Sequence, residues 1–281
     1  SSDVCSSDLP ETIKPLLNEL VTKLLRLLQI GIPSTKEMAL SALSACSVAA
    51  EVAFLPYTEA CCNVIAPMMF TTEMSTFSLR GRALECWGHI GIAIGKDNFA
   101  RYLDTGFQSA MQGIQLDDIS LKEFAYVFFA NAVKVMGNAF DPHLPQLVEH
   151  LCEVIEESEI TYGGPDDDDE DDDEEDEVAA GGGGAGTGGE DDEDDEDIGN
   201  YRLNVHEGFI NTKKAAITAL GGLAEYTGAS FFPYLEKCLS MILAEGVGIL
   251  TSYHCAIRGE ALICLEQLSG VATAMHGPKE D

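Results

Sequence analysis

The sequence predicts an all-α fold: an α-solenoid of about five stacked helix pairs, interrupted by one acidic, glycine-rich loop that we expect to be disordered. A short motif recurs about every 44 residues, and a chain break followed by an aromatic or proline entry recurs with nearly the same period. No segment shows the strict alternation of a half-buried strand. The hydrophobic fraction of 46% in 281 residues is typical of a folded chain.

The recurring motif is a basic residue followed three positions later by alanine, and we expect it to open the second helix of each pair. A large apolar residue stands seven positions after each basic residue, so the alanine and the apolar residue share one helical face. The motif starts lie 44, 42, 91 and 45 residues apart, and the long interval is therefore one repeat plus about 47 residues. We interpret the basic positions as a structural ladder that pairs with acids or turn carbonyls of adjacent repeats, rather than as a binding stripe. They are Lys36, Arg80, Lys122, Lys213 and Arg258.

The second landmark is the break that precedes each next pair, in "AFLPYTE", "NFARYLD", "HLPQLVE" and "FFPYLEK". One interval between these breaks is also about twice the repeat length. The long intervals of the two landmarks overlap only between Gln146 and Lys213, so the loop lies there, between the two helices of one pair. The predicted first helices are residues 10–30, 56–70, 101–114, 144–158 and 233–245. The predicted second helices are residues 36–51, 79–94, 121–136, 213–226 and 258–270.

The predicted organisation has five segments. The opening "SSDVCSSDL" resembles the translation of a sequencing-adapter primer, and we exclude it from the fold as a non-native scar. Such a start is typical of a fragment of a longer chain. The segments are residues 1–9 (scar), 10–158 (helix pairs), 159–205 (acidic and Gly-rich loop within a repeat), 206–275 (helix pairs) and 276–281 (tail).

Negative charge is concentrated in the loop. The chain has 48 acidic and 16 basic residues, a net charge of −32, and residues 166–197 contain 20 acids and no base. Such a polyanion repels nucleic acid and anionic membranes and attracts basic proteins, although a solvated loop without a function is the alternative. The predicted partner-binding residues are the acids Asp166, Asp167, Asp168, Asp169, Glu170, Asp171, Asp172, Asp173, Glu174, Glu175, Asp176, Glu177, Glu190, Asp191, Asp192, Glu193, Asp194, Asp195, Glu196 and Asp197.

No motif indicates catalysis. His150 and Cys152 lack the further ligands of a zinc site, and the glycine tract 181–189 has no lysine after it and no strand before it. We therefore predict no enzyme activity, no catalytic residue, no cofactor and no metal. Because no 18 consecutive residues are apolar and uncharged, we also predict no membrane insertion. Six cysteines lie in apolar helical patterns and are expected to be free and buried: Cys46, Cys61, Cys86, Cys152, Cys238 and Cys264.

Helix pairs of this length, with a basic residue opening the second helix, resemble HEAT repeats. The segment "GFINTKKAAITALGGLAEYTGASFFPYLEKCLSMIL" (residues 208–243), placed after a long acidic loop, resembles the importin-beta (karyopherin) superfamily and most closely its importin-four branch. The resemblance covers residues 10–275. It departs from the family in the glycine tract that divides the acids.

The resemblance implies a nuclear import receptor that acts as a monomer and shuttles between cytoplasm and nucleus. Its implied partners are basic cargo such as ribosomal proteins or histones, Phe-Gly nucleoporins, and Ran-GTP, which releases the cargo; direct binding of nucleic acid is not expected. One alternative is a HEAT-repeat scaffold subunit of a phosphatase or chromatin-associated complex, which would bind one stable partner. Another is an acidic protein similar to a histone chaperone, with its activity in the loop.

Overall fold

A computed structural model describes residues 14–116, 118–157, 161–162, 203–204, 207–244, 249–252 and 254–276. In this part of the chain ten α-helices follow one another as five pairs. The first helices of the pairs are α1 (Leu17–Ile30), α3 (Thr58–Ile65), α5 (Lys96–Ile114), α7 (Leu144–Glu156) and α9 (Leu235–Leu243). The second helices are α2 (Pro33–Ala50), α4 (Phe77–Ile94), α6 (Ile119–Met136), α8 (Glu207–Thr227) and α10 (Cys255–His276).

The second helices pack on one another in chain order, from α2 through α4, α6 and α8 to α10. The motif alanines, Ala39, Ala83, Ala125, Ala216 and Ala261, are all at most 2% exposed, so each permits the close approach of a neighbouring helix. Four of the five apolar residues seven positions after the motif cation are buried as well: Leu43, Trp87, Phe129 and Leu220. The predicted solenoid of stacked helix pairs, and the helical face that builds its core, are confirmed.

Each of the first four second helices ends at a residue with positive φ. These residues are Glu51 (φ 50°), Gly95 (φ 74°), Gly137 (φ 54°) and Gly228 (φ 54°). They repeat the spacing of the motif, fifteen positions after each basic residue. In three of the four repeats a 3-10 segment containing proline follows, namely Glu51–Tyr57, Gly137–His143 and Gly228–Tyr234. Proline lacks the N–H that an α-helix interior requires, so these segments form the turn into the next pair.

The predicted start of α5, residue 101, was wrong because no proline separates this helix from the one before it. The segment "NFARYLD" contains no proline, unlike the other three entries, and the helix begins at Lys96 directly after Gly95. The start of α8 was also predicted too late, because the helix begins at Glu207 rather than at Lys213. In both cases residues without a strong helix breaker join the helix that follows.

Replacement of Glu51 by glycine is expected to stabilise the protein. Glu51 adopts φ 50° and ψ −138°, a backbone conformation that residues with a Cβ rarely adopt. Its N–H donates to Ser47 O, and a glycine N–H at this position would do the same. We expect Glu51→Gly to raise the free energy of unfolding by roughly 0.5–1 kcal/mol, measured by urea denaturation. The matched control, Glu153→Gly on the exposed side of α7, should lower it by about 1 kcal/mol; a loss in both variants contradicts the prediction.

The chain divides into two compact units: Ser1–Glu157 together with His206–Asp281, and Ser158–Val205. The first contains all ten helices. In the second, β1 (Thr161–Tyr162) pairs antiparallel with β2 (Leu203–Asn204), and Thr161 lies opposite Asn204. This two-stranded sheet was not predicted from the sequence, since strands of two residues are too short to show alternation of apolar and polar residues. The twenty predicted partner-binding acids and the glycine tract lie outside the described residues.

One helical stretch among the described residues, Pro33–Phe70, is long and apolar enough by length and composition to cross a membrane. In the structure it is not one straight segment. The chain ends α2 at Ala50, turns at Glu51 and begins α3 at Thr58. The apolar residues of this stretch, such as Leu40, Phe54 and Ile65, form the core of the first two repeats.

Candidate partner-binding face

The ladder cation Arg80 is buried at the junction of the second and third repeats. Its side chain is 2% exposed, and burial lowers the pKa of the guanidinium from its usual value. Nη1 donates to Thr71 O at 2.7 Å in the turn before α4, and Nη2 donates to Ser109 O at 3.1 Å in α5 of the next repeat. Ser109 Oγ in turn donates to Met69 O at 2.7 Å. Arg80 therefore bonds one main-chain carbonyl in the turn of its own repeat and one within α5, and so ties its repeat to the following one.

Two further ladder cations bond main-chain carbonyls of their own repeats. Lys213 is buried, its Nζ donates to Glu157 O at 2.7 Å just beyond α7, and it lies 5.5 Å from the centre of the Phe209 ring. Arg258 Nη1 donates to Ser252 O at 2.7 Å in the turn before α10. Glu157 directly follows α7, and because carbonyls at the C-terminal end of a helix carry partial negative charge, the Lys213 cation is stabilising there.

The remaining ladder cations, Lys36 and Lys122, are half-buried, as is Arg258. Lys36 lies in the first turn of α2. Lys122 lines a pocket of about 270 Å³ together with Tyr126 and His150. In that pocket the Tyr126 hydroxyl lies 2.9 Å from His150 Nε2. Burial raises the pKa of Tyr126 and lowers the pKa of His150, so it favours the neutral form of both groups.

An acidic groove lies between α4 and α6 on the face of the stack formed by the second helices. Its volume is about 560 Å³, and its walls carry the carboxylates of Glu85, Asp118 and Glu123. Apolar side chains, including Phe77 and Phe124, line the groove between these charges. Asp118 is also the N-cap of α6, where its Oδ1 accepts from Leu121 N at 2.8 Å. The groove therefore combines apolar surface with three negative charges, which suits a lysine or arginine side chain with its aliphatic stem on the wall.

One arginine of the chain itself occupies this groove. Arg82 Nη1 lies 3.0 Å from Glu85 Oε2, and its guanidinium carbon lies 5.2 Å from the centre of the Phe124 ring. The ring is held against the backbone of α4, because a Cβ at Gly81 would lie 2.1 Å from Phe124 Cδ2. Gly81 thus allows Phe124 to seat against α4, and the ring and Glu85 together bind a guanidinium group.

Other residues on the same face link neighbouring second helices. Ser78 Oγ donates to Glu37 Oε2 at 2.8 Å, linking α4 to α2. Thr218 Oγ1 donates to Glu260 Oε2 at 3.1 Å and Gln267 Nε2 donates to Glu225 Oε2 at 2.7 Å, which links α8 to α10 twice. The partners are 41 or 42 positions apart, close to one repeat length. These bonds orient carboxylates along the face on either side of the acidic groove.

The sequence analysis did not identify the groove residues. Arg82 and Glu85 follow the Arg80 cation by two and five positions, and Glu123 and Phe124 follow Lys122 by one and two. These positions lie roughly 100–160° around the helix from the motif alanine, so a comparison of the same positions in all five motifs would have found them. The sequence prediction concerned the ladder cations and the buried face of the second helices instead.

The structure also separates the two residues considered for a metal site. His150 contacts Tyr126, whereas the Cys152 sulfur lies 4.0 Å from that of Cys238. Among the described residues there is no group of three or more His, Cys, Asp and Glu side chains that could hold a metal ion. Five of the six cysteines expected to be buried are buried, and Cys46 is half-buried.

The chain is similar in sequence to importins. It is 32% identical to human importin-4 over 249 residues, which are 87% of this chain and 22% of that protein. It is 28% identical to "Probable importin subunit beta-4" of Schizosaccharomyces pombe over 255 residues, or 90% of this chain and 23% of that protein. The chain thus spans about a quarter of the length of these relatives. No family model matches it.

Solved structures of the karyopherin Kap121p have the same fold. The structure of Kap121p bound to Pho4p superposes with a TM-score of 0.69 at 18% identity, covering 95% of this chain and 24% of that one. Kap121p bound to Nup53p gives a TM-score of 0.69 at 17% identity, with the same coverage. The stack of helix pairs is therefore a karyopherin-type solenoid.

Proposed function

Because this chain belongs to the importin-beta (karyopherin) superfamily, in the branch that contains importin-4, we propose that it binds basic protein segments as part of a nuclear import receptor. The segments we expect are lysine- and arginine-rich regions of proteins such as ribosomal proteins or histones. For the whole receptor we propose Phe-Gly nucleoporins as further partners, release of cargo by Ran-GTP, and shuttling between cytoplasm and nucleus. Kap121p, whose structures share the fold, is seen bound to Nup53p and Pho4p.

The observation that carries the proposal is the acidic groove between α4 and α6. It already holds the guanidinium of Arg82, between the Glu85 carboxylate and the Phe124 ring. The carboxylates of Asp118 and Glu123 line the same groove and provide charge for a second cation. A basic peptide can therefore place one side chain where Arg82 lies and another beside these carboxylates.

The acidic loop supports the proposal through its composition. Twenty carboxylates in residues 166–197, without one basic residue, attract basic segments from a distance and increase their rate of association. We propose that the loop accelerates capture and that the groove provides short-range contacts with the bound segment.

Equilibrium binding of a fluorescent histone-tail peptide to the 281-residue chain and to a variant lacking residues 165–198 tests the proposal. We expect micromolar or tighter binding that weakens steeply with added salt, with a slower association rate and reduced affinity for the deletion variant. A matched peptide in which glutamine replaces the basic residues should not bind. Binding of the two peptides with equal affinity would overturn the proposal and favour the scaffold alternative.

Arg82 should compete with a bound peptide for the groove. Replacement of Arg82 by glutamine frees the Phe124 ring and Glu85, and we expect the histone-tail peptide to bind about 3–10-fold more tightly. Arg26→Gln, on the exposed side of α1, makes the same change in net charge away from the groove and should alter the Kd by less than about twofold. Weaker binding of the Arg82 variant means that Arg82 supports the groove instead of occupying it.

A further inference from the structure

Two buried thiols face each other between the first helices of the fourth and fifth repeats. Cys152 lies on α7 and Cys238 on α9, and their sulfur atoms are 4.0 Å apart although 86 positions separate them in the chain. Both side chains are 0% exposed. The same two repeats are also joined by a hydrogen bond from Ser230 Oγ, in the turn before α9, to Asp141 Oδ2, in the turn before α7, at 2.6 Å.

A hydrogen bond links the two thiols, and either sulfur can be its donor. With Cys238 as the donor, the bond lowers the pKa of Cys152 against the opposing effect of burial, and the positive charge of Lys237 adds to the lowering. The same bond, together with burial, raises the pKa of Cys238. Cys152 is therefore the more readily ionised sulfur, and a thiolate is the form of cysteine that reacts with oxidants.

We propose that Cys152 and Cys238 are a redox site, which a hydroperoxide oxidises to a disulfide that fastens the fourth repeat to the fifth. The Cys152 thiolate attacks the terminal oxygen of the hydroperoxide, the O–O bond breaks, and the other oxygen leaves as an alcohol after taking up a proton. Cys238 then attacks the sulfur of the resulting sulfenic acid, the S–O bond breaks and water is released. Two thiols and one hydroperoxide thus give one disulfide, one alcohol and one water.

The geometry favours this pair over the other cysteines. A disulfide requires sulfur atoms about 2.05 Å apart, so Cys152 and Cys238 must approach by about 2 Å as the bond forms. Cys264 on α10 also raises the pKa of Cys238, but it is Cys152 that shares the hydrogen bond. Cys61 and Cys62 are consecutive on α3, so they project in different directions around the helix.

The disulfide would restrict movement between the two repeats. In a solenoid each repeat contacts only its neighbours, so the angle between adjacent repeats is set by one interface. A covalent bond across that interface fixes the angle between α7 and α9 and closes a chain loop that contains residues 153–237. Since both sulfur atoms are buried, oxidation requires transient separation of the repeats and becomes faster when they open.

Peptide mapping without reduction tests the proposal. The 281-residue chain, carrying Cys255→Ser to remove an exposed thiol, is treated with hydrogen peroxide at several temperatures below its melting point. We expect a peptide pair that joins Cys152 to Cys238, reversal by dithiothreitol, and a rise in melting temperature of roughly 5 °C or more on oxidation.

Variants separate this pair from its neighbours. Cys152→Ala and Cys238→Ala should each abolish both the cross-linked peptide and the rise in melting temperature, whereas Cys264→Ala and Cys61→Ala should retain them. Peptide mapping of the parent chain tests the proposal even if one of these variants is unstable. A disulfide to Cys264, or no cross-link after oxidation just below the melting temperature, overturns the proposal.

Discussion

Replacement of Glu85 and Glu123 together by lysine is expected to weaken binding of a basic peptide by about tenfold or more. The double change converts two of the three groove carboxylates into cations, removes the partner of Arg82, and places like charges beside the incoming lysine or arginine. A tenfold loss corresponds to about 1.4 kcal/mol of binding free energy. Fluorescence anisotropy with the labelled histone-tail peptide measures it near physiological ionic strength.

The matched control places the same charges on the first-helix side of the stack. Glu149→Lys with Glu153→Lys, both exposed on α7, changes the net charge by the same amount without altering the groove. Long-range attraction then decreases equally in both variants, so any difference between their Kd values comes from the groove. Equal losses in the two variants mean that the groove does not contact the peptide.

Replacement of Arg80 by methionine is expected to cost about 3 kcal/mol in the free energy of unfolding. Methionine fills part of the same space but cannot donate to Thr71 O and Ser109 O, which accept the two guanidinium bonds. Hydrogen bonds to a charged group contribute about 1.5–3 kcal/mol each, and a buried carbonyl left without a donor adds a desolvation cost. Urea denaturation followed by circular dichroism measures the loss.

Arg82→Met is the control for this prediction, because Arg82 lies only two positions further along α4 on the half-exposed face. Its ion pair with Glu85 is solvent-accessible, and such pairs contribute about 0–1 kcal/mol. We therefore expect Arg82→Met to change stability by less than about 1 kcal/mol. A similar small effect for Arg80→Met would show that the ladder cation is not needed to join the second and third repeats.

The sequence was sufficient to predict the stack of helix pairs because the buried side of every second helix repeats. Alanine three positions and a large apolar residue seven positions after the cation recur in all five motifs, and the structure buries the alanine each time. The turns were harder to predict. Three of the four positive-φ residues that end second helices in the described part of the chain are glycine, but Glu51 takes that position in the first repeat without a residue type that signals it.

The acidic groove could not be predicted from one sequence because its walls come from two helices. Glu85 and Glu123 are 38 positions apart and become neighbours only through the packing of α4 on α6. The partners of the ladder cations were hidden for a related reason. Thr71, Glu157 and Ser252 contribute main-chain carbonyls, which every residue possesses and which no side-chain pattern identifies.

A charge-swap experiment tests most directly whether this chain binds basic segments in the groove. The Kd is measured for the parent chain and for Glu123→Lys, each with a set of histone-tail peptides in which one basic residue at a time is replaced by glutamate. We predict one peptide position at which glutamate weakens binding to the parent chain but restores binding to Glu123→Lys, with a coupling energy of about 1 kcal/mol or more. Identical penalties at every position in both chains would contradict the account.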